Sequence, residues 1–143
     1  MTRTQTRLGI GAGLVALVVV LVFAATTLAG GPTATPATSF EIAIKYSKFV
    51  PASIVVPVGV PVTITLRNDD PIDHEWILGD EAIQAIHRVG TEPVHANHPG
   101  EVFIPAMTLK TTVVTFERTG SLQFICHLPA HEAYGMRGIV TIR

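Results

Sequence analysis

The sequence predicts an all-β fold, a β-sandwich or barrel, and three observations support this class. Several short segments are rich in β-branched residues or alternate between polar and apolar side chains. Turn residues, chiefly glycine and proline, separate these segments. Only one segment has the pattern and the start signal of a helix. The predicted strands cover residues 41–46, 53–56, 60–66, 74–78, 110–116, 121–126 and 138–142.

The strands differ in the pattern that predicts them. Residues 41–46 alternate polar and apolar side chains, which suits a strand with one buried face. The next two strands are β-branched, and a Pro-Val-Gly turn signal at 57–59 separates them. Residues 74–78 form a short apolar strand, and residues 110–116 are again β-branched.

One short helix and one long loop interrupt the strands. The helix is predicted from Asp80 to His87, with Asp80 as its N-cap. Residues 89–105 contain several prolines and little periodicity, so they are predicted to form a loop.

The predicted strand at residues 121–126 ends at the only cysteine of the chain. Side chains two residues apart point to the same face of a strand, so Leu122, Phe124 and Cys126 share a face. Because Leu122 and Phe124 suit the core, the Cys126 sulfur is predicted to point inward at the end of the sandwich.

The N-terminus is predicted to lie outside the folded domain. Arg3 and Arg7 precede an uncharged, largely apolar run over residues 8–29, which fits either a cleaved secretory signal or a retained membrane anchor. Residues 30–39 are small and rich in proline and threonine, so they are predicted to be a linker to a domain at 40–143. Either reading of residues 1–29 places that domain outside the cytoplasm.

Charge and cysteine usage narrow the possible functions. Ten Lys and Arg stand against eleven Asp and Glu; without Arg3 and Arg7 the exported part carries about −3. That balance offers no basic face for nucleic acid. A single cysteine forms no internal disulfide, and metal ligation would both explain an exported thiol and protect it.

Three side chains of the types that bind copper in blue-copper sites lie close together near the C-terminus. Cys126, His131 and Met136 follow one another at intervals of five residues. A trigonal plane of one cysteine and two histidines with a weak axial methionine is the blue-copper arrangement. The second histidine must come from elsewhere, and His74 is the candidate.

Three segments of the chain resemble the cupredoxins, the blue-copper or plastocyanin-like domains. They are residues 49–59, 68–76 and 120–138, and together they span nearly all of residues 40–143. The resemblance implies a Greek-key sandwich with one type 1 copper per chain, held by His74, Cys126, His131 and Met136. It also implies a carrier of single electrons between redox partner proteins rather than an enzyme. The alternative is a copper-binding chaperone or storage module on the same fold.

Other histidines have less specific interpretations. His127 is predicted at the surface, because strand alternation turns it away from the core. Absence of any His-x-His pair argues against a multicopper oxidase, and the single cysteine argues against a dinuclear copper centre. His87, His95 and His98 suit either a polar loop or an accessory metal site.

The surroundings of the site also allow predictions. Trp76 is predicted to be a core aromatic residue, and Pro129, Ala130 and Met136 to place apolar surface around His131. Four acidic residues near His74 suit a solvated turn, with a docking surface for a positively charged redox partner as the alternative. They are Asp69, Asp70, Asp73 and Glu75.

Overall fold

The computed structural model describes residues 37–90 and 98–143, and its elements are mainly strands. The predicted signal or anchor at 1–29 lies outside these residues, and β1 begins at Ser39. None of the helices in the described part of the chain is long and apolar enough to span a membrane. The strands are β1 (Ser39–Ile44), β2 (Phe49–Val50), β3 (Ser53–Val56), β4 (Pro61–Asn68), β5 (His74–Gly79), β6 (Glu101–Ile104), β7 (Leu109–Thr115), β8 (Gly120–Ile125) and β9 (Arg137–Ile142), with helix α1 (Glu81–Val89) between β5 and β6.

The strands form two mixed sheets. One sheet has the order β2-β1-β4-β7 and the other the order β3-β9-β8-β5-β6. Pairs β1–β4 and β3–β9 are parallel and the remaining pairs are antiparallel. Consecutive strands repeatedly change sheet, which confirms the predicted β-sandwich with one short helix.

Alternate side chains of the strands fill the space between the sheets. Phe124 is fully buried and contacts both Phe49 and Trp76, with ring centroids 5.2 and 6.0 Å away respectively. Trp76 is fully buried too, which confirms it as a core residue. Cys126 and Met136 belong to the same apolar cluster, so the core extends up to the predicted copper site.

Helix α1 covers the outer face of the second sheet. All six residues of β5 are buried, because the core lies on one face and α1 packs against the strand. The Asp80 carboxylate accepts the N–H of Ile83 at 3.1 Å, as expected of the predicted N-cap. Gln84 is the buried residue of this helix, and its amide donates to the carbonyls of Ile77 on β5 and Gln123 on β8.

The predicted loop at 89–105 was wrong in part. Strand β6 lies inside it and pairs with β5, His74 opposite Ile104 and Ile77 opposite Glu101. Four residues with no clear alternation carry little local signal, and pairing with a buried neighbouring strand supplies the stability. Residues 91–97 lie outside the described part of the chain.

We predict that Gly138→Ala destabilises the fold by about 1–3 kcal/mol, a typical effect of overpacking a core. A Cβ at this position would overlap the Phe124 ring and lie 2.6 Å from the carbonyl oxygen of Ala52. Urea denaturation of the metal-free protein measures the effect. Ile139→Val, on the exposed side of β9, serves as the control and is expected to stay within about 0.5 kcal/mol of wild type. Equal stability of the two variants would contradict the packing described here.

Candidate metal centre

Three donor atoms from distant parts of the chain converge at one end of the sandwich. His74 begins β5, Cys126 directly follows β8, and His131 lies in the loop between β8 and β9. The His131 Nδ1 atom is 3.2 Å from Cys126 Sγ and 3.2 Å from His74 Nδ1. The three donor atoms all lie within 4.8 Å of one another. Pairing of β5 with β8 brings the first two residues together, and the loop folds back to supply the third.

The Cys126 side chain is held inside the protein, as predicted. It is fully buried, and the backbone N–H of Glu75 donates to its sulfur at 3.5 Å. Burial raises the pKa of the Cys126 thiol to about 11, while the backbone N–H groups of Glu75 and Leu128 act in the opposite direction. In the metal-free protein at neutral pH the sulfur therefore carries its proton.

The His74 ring is fixed by a carboxylate behind it. Its Nε2 atom lies 3.1 Å from Asp70 Oδ2, and the ring is fully buried. Asp70 in turn accepts the backbone N–H groups of Tyr46 and Ser47, each at 2.7 Å. Burial lowers the pKa of His74, which favours the neutral imidazole. With Nε2 directed at the carboxylate, Nδ1 is the nitrogen that faces Cys126 and His131, the arrangement in which a histidine binds metal.

The loop from Cys126 to Met136 is closed by its own backbone hydrogen bonds. The N–H of Met136 donates to the His131 carbonyl at 3.0 Å, and the N–H of Cys126 donates to the Met136 carbonyl at 3.2 Å. Ala130 and Gly135 adopt the left-handed conformation, with φ of 72° and 84°, which lets the loop turn tightly. The Met136 side chain is fully buried in the core cluster that contains Cys126.

Ion pairs attach the same loop to helix α1. The Arg88 guanidinium donates to the Glu132 carboxylate from Nε and Nη2 at 3.0–3.1 Å, and from Nη1 to Glu81 at 2.6 Å. The hydrogen bonds from Arg88, together with its charge, lower the pKa of Glu132. Because Glu132 directly follows His131, this bidentate pair restrains the loop at the position of the histidine.

The prediction that His127 is a surface residue was wrong. Its side chain points away from the core as alternation requires, but α1 covers it and leaves only 4% of it exposed. The ring lies 2.7 Å from Gln84 Oε1 through Nε2 and 3.3 Å from Glu132 Oε2 through Nδ1. His127 therefore belongs to a buried polar layer between the helix and the sheet.

The acidic cluster is only in part the solvated turn that the sequence predicts, because Asp69 and Asp73 are exposed whereas the other two residues are buried. Asp70 and Glu75 are only 6% and 7% exposed, and both carboxylates accept backbone N–H groups. Asp73 accepts the N–H of Ala106, and Asp69 pairs with Arg67. The alternative of an acidic docking surface loses support as well, because two of its four charges are buried.

Two of the three remaining histidines lie near one carboxylate. Glu101 Oε2 is 3.7 Å from His87 Nε2, and Glu101 Oε1 is 3.8 Å from His98 Nδ1. His95 lies outside the described residues, so the accessory metal site stays a prediction. Among residues 37–90 and 98–143, a tight group of three metal-binding side chains occurs at His74, Cys126 and His131 alone.

The donor set fits copper. Ligand atoms about 2.0–2.3 Å from one ion lie about 3.5–4.0 Å apart in a trigonal plane. Two of the observed separations are 3.2 Å and the third lies within 4.8 Å, so the three donor atoms are spaced closely enough to share one ion. One thiolate with two imidazoles is the donor set of blue-copper sites. The Asp70 carboxylate contacts the Nε2 atom of His74, and metal-binding histidines usually have such a partner at the ring nitrogen that does not bind the metal.

The chain belongs to the cupredoxin-like domain family, whose model matches residues 13–142. Among its relatives is the copper-resistant cuproprotein CopI of Rubrivivax gelatinosus, 35% identical over 100 residues. That match covers 67% of this chain and 60% of the relative, so the chain spans less than two thirds of that protein. The copper-resistant cuproprotein CopI of Pseudomonas aeruginosa is 24% identical, with 73% of this chain and 76% of that protein covered.

Solved structures of blue-copper proteins share the fold. Reduced auracyanin from Roseiflexus castenholzii superposes with a TM-score of 0.65 at 22% identity, over 76% of this chain and 99% of that one. Auracyanin A from Chloroflexus aurantiacus, a "blue" copper protein, gives 0.61 at 24% identity, over 76% and 100%. Rusticyanin from Thiobacillus ferrooxidans gives 0.53 at 16% identity, over 75% and 79%. These likenesses confirm the predicted cupredoxin fold, and the fold, the donor set and the relatives together support copper as the metal.

We predict that Asp70→Asn lowers the affinity for Cu(I) by about 10–100-fold, the usual effect of removing an outer-shell partner of a metal-binding histidine. The amide has one acceptor oxygen where the carboxylate uses two, so it cannot serve Tyr46, Ser47 and His74 together. Competition with a chromophoric Cu(I) chelator measures the affinity. Asp69→Asn is the matched control, since Asp69 pairs with Arg67 instead. An affinity of Asp70→Asn within twofold of wild type would show that the contact does not support the site.

Copper binding is predicted to release about one proton from Cys126 at pH 7.5. This pH lies below the thiol pKa of about 11, so the metal must displace the proton, whereas the lowered pKa of His74 leaves that ring neutral beforehand. A weakly buffered titration with an indicator dye counts the protons. Cys126→Ser, whose hydroxyl keeps its proton, should release about one proton fewer per copper; equal release from both proteins would exclude thiolate ligation.

Proposed function

We propose that this protein is a type 1 copper protein that carries single electrons between redox proteins outside the cytoplasm. It would hold one copper per chain through His74, Cys126 and His131, with Met136 as the weak axial ligand. The observation that carries the proposal is the convergence of a fully buried cysteine sulfur with two imidazole nitrogens. Copper in such a site supplies one-electron chemistry between Cu(I) and Cu(II).

Rigid placement of the ligands favours electron transfer over other uses of copper. Fast transfer requires a site that changes little between the two oxidation states. Cys126 is held by backbone N–H groups and His74 by the Asp70 carboxylate. His131 lies in a loop that backbone hydrogen bonds and the Arg88–Glu132 pair restrain. Each ligand therefore has its own support from the protein.

The surface beside His131 suits a docking partner. His131 is the one half-buried member of the ligand set, whereas His74 and Cys126 are buried. Pro129 and Ala130 are exposed before it, and Tyr134 is 70% exposed after it. An electron would leave or enter through the imidazole edge across this mostly apolar surface. We propose a carrier rather than an enzyme, with redox proteins as partners and with residues 8–29 as a membrane anchor if they are retained.

A second candidate is a copper-handling role, as a chaperone or storage module. Its support is the name of the two relatives, both called copper-resistant cuproproteins. Such a protein would use the same ligands but pass the metal on. Transfer of copper to a competing chelator within seconds favours this role, whereas copper kept through repeated redox cycles favours the electron carrier.

Titration of the full-length protein with Cu(II), followed by visible absorption, tests the proposal. An intense blue thiolate band that saturates at one copper per chain, is bleached by ascorbate and returns with ferricyanide is the expected result. Copper that binds without this band would contradict a type 1 site.

We predict that Cys126→Ser abolishes the thiolate band, because the charge-transfer transition requires the sulfur. His98→Ala removes an exposed histidine outside the site and should leave the band unchanged, which controls for general loss of metal binding. Circular dichroism confirms that both variants are folded. A blue Cys126→Ser protein would mean that the site lies elsewhere.

A further inference from the structure

Glu75 contacts the Cys126 sulfur through its backbone N–H and carries a carboxylate side chain. It follows His74 on β5 and is only 7% exposed. Its backbone N–H donates to Cys126 Sγ at 3.5 Å, and its carboxylate Oε1 accepts the N–H of His127 at 2.7 Å. One residue therefore holds both the sulfur and the peptide group that follows Cys126.

Burial gives this charge more influence than a surface carboxylate would have. Solvent screens a buried charge poorly, so its effect on a neighbouring group is stronger than in water. The Glu75 carboxylate belongs to the residue whose N–H contacts the sulfur, and it binds the N–H of the residue after Cys126, so its negative charge opposes added negative charge at the sulfur. A copper centre becomes less positive by one charge when it is reduced, so the same carboxylate opposes reduction.

We propose that the buried carboxylate of Glu75 lowers the reduction potential of the copper centre. The inference rests on the proposed type 1 site. In the step concerned, the centre gains one electron from an external reductant, ascorbate in the experiment below. The electron reduces Cu(II) to Cu(I), the sulfur stays a thiolate, and no proton is transferred.

Matched substitutions separate the charge of Glu75 from its shape. Glu75→Gln keeps the side-chain length and an acceptor oxygen for the His127 N–H, but removes the charge. Glu75→Asp keeps the charge on a shorter side chain, and Glu75→Asn removes that charge at the same length. Asp69→Asn removes one negative charge from the turn before β5, where Asp69 pairs with Arg67 away from the sulfur.

Redox titration of the copper-loaded, full-length proteins, monitored at the thiolate band, provides the test. Glu75→Gln should shift the equilibrium toward Cu(I) about tenfold, which for one electron equals about 59 mV. Glu75→Asp and Asp69→Asn should stay within about twofold of wild type. If Glu75→Gln does not fold, the two shorter side chains provide the test. The equilibrium of Glu75→Asn should then lie about tenfold further toward Cu(I) than that of Glu75→Asp, since the two variants differ in charge alone.

Two results would overturn the inference. One is a wild-type potential in the neutral variants, and the other is an equal shift in Glu75→Asp and Glu75→Gln, which would assign the effect to geometry. Failure of the proposed function is recognised separately, because wild-type protein would then lack the thiolate band before any titration begins. A role for Glu75 in folding alone would change stability and leave the potential of the folded variants unchanged.

Discussion

The buried sulfur of Cys126 is the constraint on which the rest of this structure depends. A thiolate in the interior needs partners that make up for lost water, because burial is the main cause that raises the pKa of the Cys126 thiol to about 11. Backbone N–H groups of Glu75 and Leu128 offset part of this loss at the point where β5 and β8 lie side by side. The sandwich thus fixes the cysteine in the metal-free protein, and in the proposed site the metal would replace the thiol proton.

Two further supports hold the other two side chains of the candidate site, His74 and His131. Asp70 fixes the His74 ring from behind while it also closes the turn after β1 through two backbone N–H groups. Helix α1 works from the other side of the sheet: Gln84 joins β5 to β8, and Arg88 restrains the loop beside His131. Each support is a buried or bidentate polar contact, the kind that loses most when one partner is removed.

The sandwich, the helix and the inward direction of the Cys126 side chain could all be predicted from the sequence. Strand alternation assigns each side chain to a face, and Asp80 marks the helix start by its capping chemistry. Alternation does not say what covers a face, which is why His127 was expected at the surface although α1 buries it. Strand β6 was not predicted, because its four residues show no clear alternation and its stability comes from pairing with β5. The inward turn of Asp70 depends on Tyr46 and Ser47, which are more than twenty residues away.

X-ray absorption at the copper edge tests the central claim most directly, because it reports the atoms bound to the metal. In the copper-loaded protein we predict one short copper–sulfur distance and two nitrogen neighbours at about 2.0–2.3 Å, with little change between Cu(II) and Cu(I). A shell of nitrogen and oxygen atoms without a short sulfur distance would contradict the account. So would a ligand set that is rebuilt when the metal changes oxidation state.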